Sequence, residues 1–384
     1  MPNPVRMQIG NWLNQSDYTA SIEVGANRVP VSVVLDTGSS ALGVDGGTYS
    51  PDSDATCKTT QLAQVVQYGS GGWVGAVVQA EVSLSADVTL PGAKIAVTYA
   101  SQQNVFGQSE GIWGLAYQTL DHAYLMPADT WKSKYDASDI ALGREADLDP
   151  YFEQLESAGL IAGQFAFCVK RSIMRGAIDP PSSDPLNSGT FVVGGGVECA
   201  DLYTGAFAWA AVTSEKFYNT NLLSVRVANQ PAIAAPQPAT GSTTVSNSII
   251  DSGTSSLQLD QGLYDQVLNA FGAIDGGFAD KLQQYNINTG NVIDQTQIDL
   301  TAWPQVRLTF QGVNGSPAAI VLHPSDYWQF DACQVGMAVA VIAGDGNSLG
   351  GQSILGLPLF SSHYVVFDRT AANGRGAVGF ATQS

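Results

Sequence analysis

Val33-Val34-Leu35-Asp36-Thr37-Gly38-Ser39-Ser40 returns later in the chain as Ser248-Ile249-Ile250-Asp251-Ser252-Gly253-Thr254-Ser255. Each copy is an apolar run ending in Asp, followed by a small hydroxyl residue, a Gly and further hydroxyls. A second pair keeps the same order: Gly111-Ile112-Trp113-Gly114-Leu115 after the first copy, and Ser353-Ile354-Leu355-Gly356-Leu357 after the second. The spacing varies while the order persists. That is the signature of a duplication with variable loops, and it predicts two related lobes, 1–195 and 196–384, each giving one Asp.

The segments around these copies have the composition of strands. SIEVGANRVPVSVVLDTG, QVVQYGSGGWVGAVVQAEVSL, KIAVTYA, GTFVVGGG, QVRLTF and HYVVFD are rich in Val, Ile, Thr and Tyr, and turn residues punctuate them. Helical patterns are few. One follows Asp149-Pro150, with Asp as the expected cap and Gly159 as the stop. Another covers 263–271 (LYDQVLNAF). The fold class is therefore all-β, with a few short helices. Residues 118–148 read as an irregular polar loop with a helical turn near 128–135. Residues 228–246 read as a surface loop, and the apolar run 337–343 as one buried strand.

Composition excludes several classes of function. The 34 acidic against 16 basic side chains leave a net charge of −18, which opposes binding to nucleic acid or anionic lipid. No run approaches the roughly 20 apolar residues of a membrane span. No Cys or His spacing suggests a metal site, so neither metal nor cofactor is expected. The scattered Cys57, Cys168, Cys199 and Cys333 allow two disulfides or four thiols; Cys168 and Cys199 are candidates for neighbouring strands. His122, His323 and His363 have no triad or ligand spacing, and Trp113 and Trp303 read as core.

Two Asp residues on tight turns can do chemistry that one cannot. If a pseudo-twofold axis brings Asp36 and Asp251 together, like charges resist double ionisation and the pair shares a proton. Such a pair can hold a water, deprotonate it for attack on a carbonyl, and return a proton to the leaving nitrogen. Residues 65–80 read as two strands around a Gly-rich tip, Tyr68-Gly69-Ser70, mobile enough to admit a substrate.

On these motifs the chain resembles the pepsin-like aspartic peptidases, from IEVGANRVPVSVVLDTGSS to ILGLPLFSSHYVVFDRTAANGRGAVGFA. The resemblance implies a bilobal fold and an endopeptidase acting on extended polypeptides. Asp36 and Asp251 match the catalytic pair. Thr37 and Ser252 match hydroxyls that cross-link the two active-site loops, beside Gly38 and Gly253. Ser39 and Thr254 match hydroxyls that bond the outer carboxylate oxygens. Tyr68, Gly69 and Ser70 match the tip of a flap over bound peptide. An acidic optimum, apolar side chains at the cut, inhibition by statine-type peptides and a monomeric chain are expected with it.

Three departures stand out. Gly43 occupies the place where most relatives have a Trp that bonds the flap Tyr, so Tyr68 needs another partner or water. The family's usual cysteine pairs are absent, and only 35 residues precede Asp36. Those features resemble the bacterial pepsin homologues that lack a prosegment, and they favour the cytoplasm over a secreted or periplasmic location.

Overall fold

The computed structural model describes residues 3–69, 71–102, 105–238, 244–346 and 350–384. It is mainly β. The expected strands form because their β-branched residues are covered on one face or both. Val29–Asp36 begins half-exposed and becomes fully buried towards its end. It lies between Thr19–Val24, antiparallel, and Gly111–Gly114, parallel. A central strand covered on both faces needs an uninterrupted apolar run, and Val33-Val34-Leu35 supplies it.

The sequence repeat is a repeat of topology. In the first lobe Val29–Asp36 pairs parallel with Gly111–Gly114, which pairs antiparallel with Leu42–Asp45, which pairs parallel with Thr89–Ser101. In the second lobe Ser248–Ile250, Ser353–Leu355, Leu257–Leu259 and Ile342–Gly344 repeat that order and those directions. Even single bonds repeat: the Gly114 amide donates to the Ala41 carbonyl and the Gly356 amide to the Ser256 carbonyl, both at 3.0 Å. Each acceptor lies five residues beyond its Asp.

A run of six antiparallel strands joins the lobes. Val5–Gly10, Ser188–Val193 and Gln164–Cys168 continue into His363–Asp368, Ala377–Gln383 and Tyr203–Ala211. The crossing lies between Gln164–Cys168 and His363–Asp368, where Phe165 and Phe367 stack with ring centroids 4.8 Å apart. Offset aromatic contacts of this kind add roughly 0.5–1.5 kcal/mol beyond area burial. Trp113 and Trp303 are buried in the core that runs through both lobes.

Several local expectations are corrected. Residues 118–148 hold a hairpin, His122–Leu125 with Arg144–Asp147, which extends the sheet beside Lys58–Tyr68. The polar, charged composition of Arg144–Asp147 is that of an exposed edge, which hid the strand period. The expected helical turn is there, at Thr130–Ser133. The helix after Asp149 runs Tyr151–Ser157 with Pro150 as its cap residue, one position later than expected. Asp149 instead accepts from the Gln118 side chain at 3.1 Å. The run 337–343 is two strands in different sheets, Met337–Ala340 and Ile342–Gly344. All four cysteines are free thiols; Cys168 and Cys199 pack in one apolar cluster without a bond.

Candidate active site

Asp36 ends its strand, Asp251 follows Ser248–Ile250, and the two loops meet at the lobe interface. The Thr37 amide donates to Ser252 Oγ at 3.0 Å, and the Ser252 amide donates to Thr37 Oγ1 at 2.8 Å. Each hydroxyl then donates across the interface to a backbone carbonyl: Thr37 to Ile250 at 3.1 Å, Ser252 to Leu35 at 2.7 Å. The four bonds form a reciprocal clamp in which every donor is satisfied by the opposite lobe. A residue with a short hydroxyl is needed at this position for that reason.

Both carboxylates are 8% exposed, and each is held twice by its own loop. Asp36 Oδ1 accepts from the Gly38 amide at 2.7 Å, and Oδ2 from Ser39 Oγ at 2.5 Å. Asp251 Oδ1 accepts from the Gly253 amide at 2.9 Å, and Oδ2 from Thr254 Oγ1 at 2.7 Å. The glycines set the approach. A Cβ on Gly38 would sit 2.7 Å from Asp251 Oδ1, and one on Gly253 only 2.5 Å from Asp36 Oδ1. Each carboxylate thus lies against the bare backbone of the opposite loop.

Burial, and then the neighbouring charge of Asp251, push the Asp36 carboxyl well above the ordinary carboxylate range. The bonds from Ser39 and Gly38 oppose the shift without cancelling it. The pair therefore retains a proton where isolated carboxylates would both be ionised. A third carboxyl, Asp17, is pushed up to about 7 by desolvation and by the charge of Asp251. Nothing in the sequence around Asp17 signals that position.

The flap is the hairpin of Lys58–Tyr68 and Gly71–Ser83, closed by the Tyr68–Gly71 pair. Gly69 is exposed at its tip; Ser70, the third predicted tip residue, lies outside the described residues. Burial and the charge of Asp36 raise the Tyr68 phenol, so it stays a neutral hydrogen-bond donor and acceptor. Its partner is Trp73, whose indole Nε1–H donates to the Tyr68 hydroxyl at 3.2 Å. Sequence reasoning left that partner unassigned. The signal was the pairing of two facts: Gly43 where an indole is usual, and an indole five residues after Tyr68.

The three His residues stay apart from this centre. His122 pairs with Glu145, His323 faces Gln305, and His363 packs against Leu359 and Ser362.

Residues 17–383 match the family model described as eukaryotic aspartyl protease. The chain belongs to that family. It is 25% identical over 333 residues to a vacuolar aspartic protease of Candida albicans, a match covering 83% of this chain and 64% of that protein. The chain thus spans less than two thirds of that relative's length. It is 25% identical over 382 residues to human gastricsin, covering 95% of this chain and 81% of the relative. Candidapepsin-3 of Candida albicans strain WO-1 is also 25% identical over 382 residues, with 92% and 77% covered. As a pepsin-like aspartyl protease the chain is an aspartic-type endopeptidase, with a polypeptide as its substrate.

Proposed function

We propose that Asp36 and Asp251 are the catalytic pair and that they cleave extended or unfolded polypeptides through an activated water. The observation that carries this is the contact of each carboxylate with the other loop's glycine, inside the Thr37–Ser252 clamp. With the shared proton on Asp36, its partner carboxylate takes the proton of the attacking water while Asp36 protonates the scissile carbonyl. The tetrahedral centre then collapses as a proton reaches the leaving nitrogen. Ser39 and Thr254 fix the outer oxygens, leaving the inner ones for water. Tyr68 and Gly69 cover the substrate.

Sharing one proton makes activity bell-shaped in pH, since neither the doubly protonated nor the doubly ionised pair can act. The optimum is on the acid side of neutrality, and apolar side chains flank the cut. A statine-type peptide inhibits by placing a hydroxyl between the carboxylates. The test is hydrolysis of an unfolded protein from about pH 3 to 7. Asp36→Asn and Asp251→Asn should each lose at least ~10³-fold activity; undiminished hydrolysis by either variant removes the pair from the mechanism.

Four free thiols favour a reducing compartment, and the cytoplasm is the proposed location over a secreted or periplasmic one. Together with Gly43 they support a kinship with the bacterial pepsin homologues within its family. The enzyme works as a monomer, because one chain supplies both carboxylates, and its −18 charge gives it no affinity for nucleic acid or membrane surfaces.

A further inference from the structure

Residues 169–187 connect two first-lobe strands, Gln164–Cys168 and Ser188–Val193, yet on the way they are fastened to the second lobe. Ile173, 5% exposed, joins Ala332, Val339 and Val341 of that lobe in a small apolar cluster. The backbones interlock beside it: the Cys333 amide donates to the Met174 carbonyl and the Gly176 amide to the Asp331 carbonyl, both at 2.9 Å. The Arg171 guanidinium donates to the Phe330 carbonyl at 2.5 Å, and the Ser172 amide to the Gln329 side chain at 3.1 Å. Arg175 closes the seam. Its Nε meets Asp331 of the second lobe at 3.1 Å, and its Nη1 meets Asp184 of its own segment at 3.3 Å. Both carboxylates are buried, so one guanidinium compensates two charges that solvent barely reaches. Asn187 holds the Arg175 backbone in place, accepting from its amide at 2.7 Å and donating to its carbonyl at 2.9 Å.

We propose that residues 169–187 are a strap that sets the angle between the lobes, with Arg175 as its positioning residue. The clamp of Thr37 and Ser252 and the ladder between Gln164–Cys168 and His363–Asp368 are two fastenings, and two fastenings define an axis about which the lobes can still turn. A third, off that axis, stops the turn. The strap also reaches the catalytic loops through three bonds in series. The Tyr18 hydroxyl donates to the Arg171 carbonyl at 3.1 Å, the Leu35 amide to the Tyr18 carbonyl at 3.0 Å, and Ser252 Oγ to the Leu35 carbonyl at 2.7 Å. Burial works against the Asp331 charge, but the Gly336 amide and the Arg175 guanidinium hold its carboxyl below the ordinary range, so the tie persists in acid. The proposal rests on the assignment of Asp36 and Asp251 as the catalytic pair.

A turn about the clamp leaves the centre in place and displaces the ends of the cleft in proportion to their distance from it. The test is therefore hydrolysis, by the full chain, of two extended peptides cut at their middle: one of about eight residues, roughly 27 Å long, and one of about four, roughly 14 Å long. Arg175→Gln removes the charge that ties Asp184 to Asp331. It should raise KM for the long peptide about three- to tenfold and leave kcat within about twofold, the pattern of lost uniform binding. For the short peptide kcat and KM should both stay within about twofold. Ile173→Ala, which empties the apolar seat in the second lobe, should give the same split and stands in if Arg175→Gln fails to fold. Equal losses on the two peptides, a loss in kcat instead of KM, or no loss on either would overturn the proposal. Asp36→Asn is run alongside. If it is inactive while the two peptides respond alike to the strap variants, only the role of the strap is lost; if it is active, the assignment of the pair falls first.

Discussion

At the scale of single residues, the raised pKa of Asp36 has a consequence for stability as well as for catalysis. Between the ordinary carboxylate value and its raised native value, the folded protein keeps a proton that the unfolded chain releases. Stability therefore falls as pH rises through that window, and above it the full penalty remains. Asp36→Asn carries no such penalty. Its unfolding midpoint should exceed the native protein's at pH 7, with the gap closing towards about pH 4; parallel curves at all pH values would contradict the shift. Gly253→Ala makes a separate prediction. Its methyl would sit 2.5 Å from Asp36 Oδ1, so the loops must separate and hydrolysis should fall by at least ~10²-fold. A peptide assay that found native rates would show that the loops are not in contact. The Asp, Thr, Ser and Gly of both loops were legible in the sequence because they occur twice. Asp17 occurs once, in a turn without a motif, and its nearness to Asp251 exists only after folding.

At the scale of elements, the two loops are less independent than their strands. Replacing Thr37 by Val keeps the shape and removes Oγ1, which leaves the buried Ser252 amide without an acceptor. The expected cost is about 1–3 kcal/mol, because an orphaned buried donor loses its full solvation. Urea unfolding would measure it, and an unchanged midpoint would show that solvent reaches the clamp. Strands with β-branched, half-buried patterns were readable in the sequence: Val29–Asp36 and His363–Asp368 are examples. The Arg144–Asp147 strand was not, since its residues are chosen for an exposed edge and not for a core. The Trp73 bond was unreadable for another reason. It depends on the register of the flap, Val66 opposite Trp73, and no local pattern states register.

At the scale of the whole molecule, cohesion comes from one apolar core and a shared sheet, with no covalent cross-link. A thiol reductant should therefore leave the thermal midpoint unchanged, and a fall in midpoint on reduction would reveal a bond that the four thiols do not make. The duplication was visible from the order of the motifs; the stacking of Phe165 on Phe367 across the lobes was not, because 202 positions separate them in the chain. The path of the shared sheet also sets a timetable. Gln164–Cys168 waits for His363–Asp368, and the Thr37 loop waits for Ser252, so the shared sheet and the clamp both need the second lobe. A nascent chain that has only its first lobe holds one of the two Asp residues, which then has no second carboxylate to share a proton with. The two-carboxylate centre is thus assembled only once both lobes have been made and have docked.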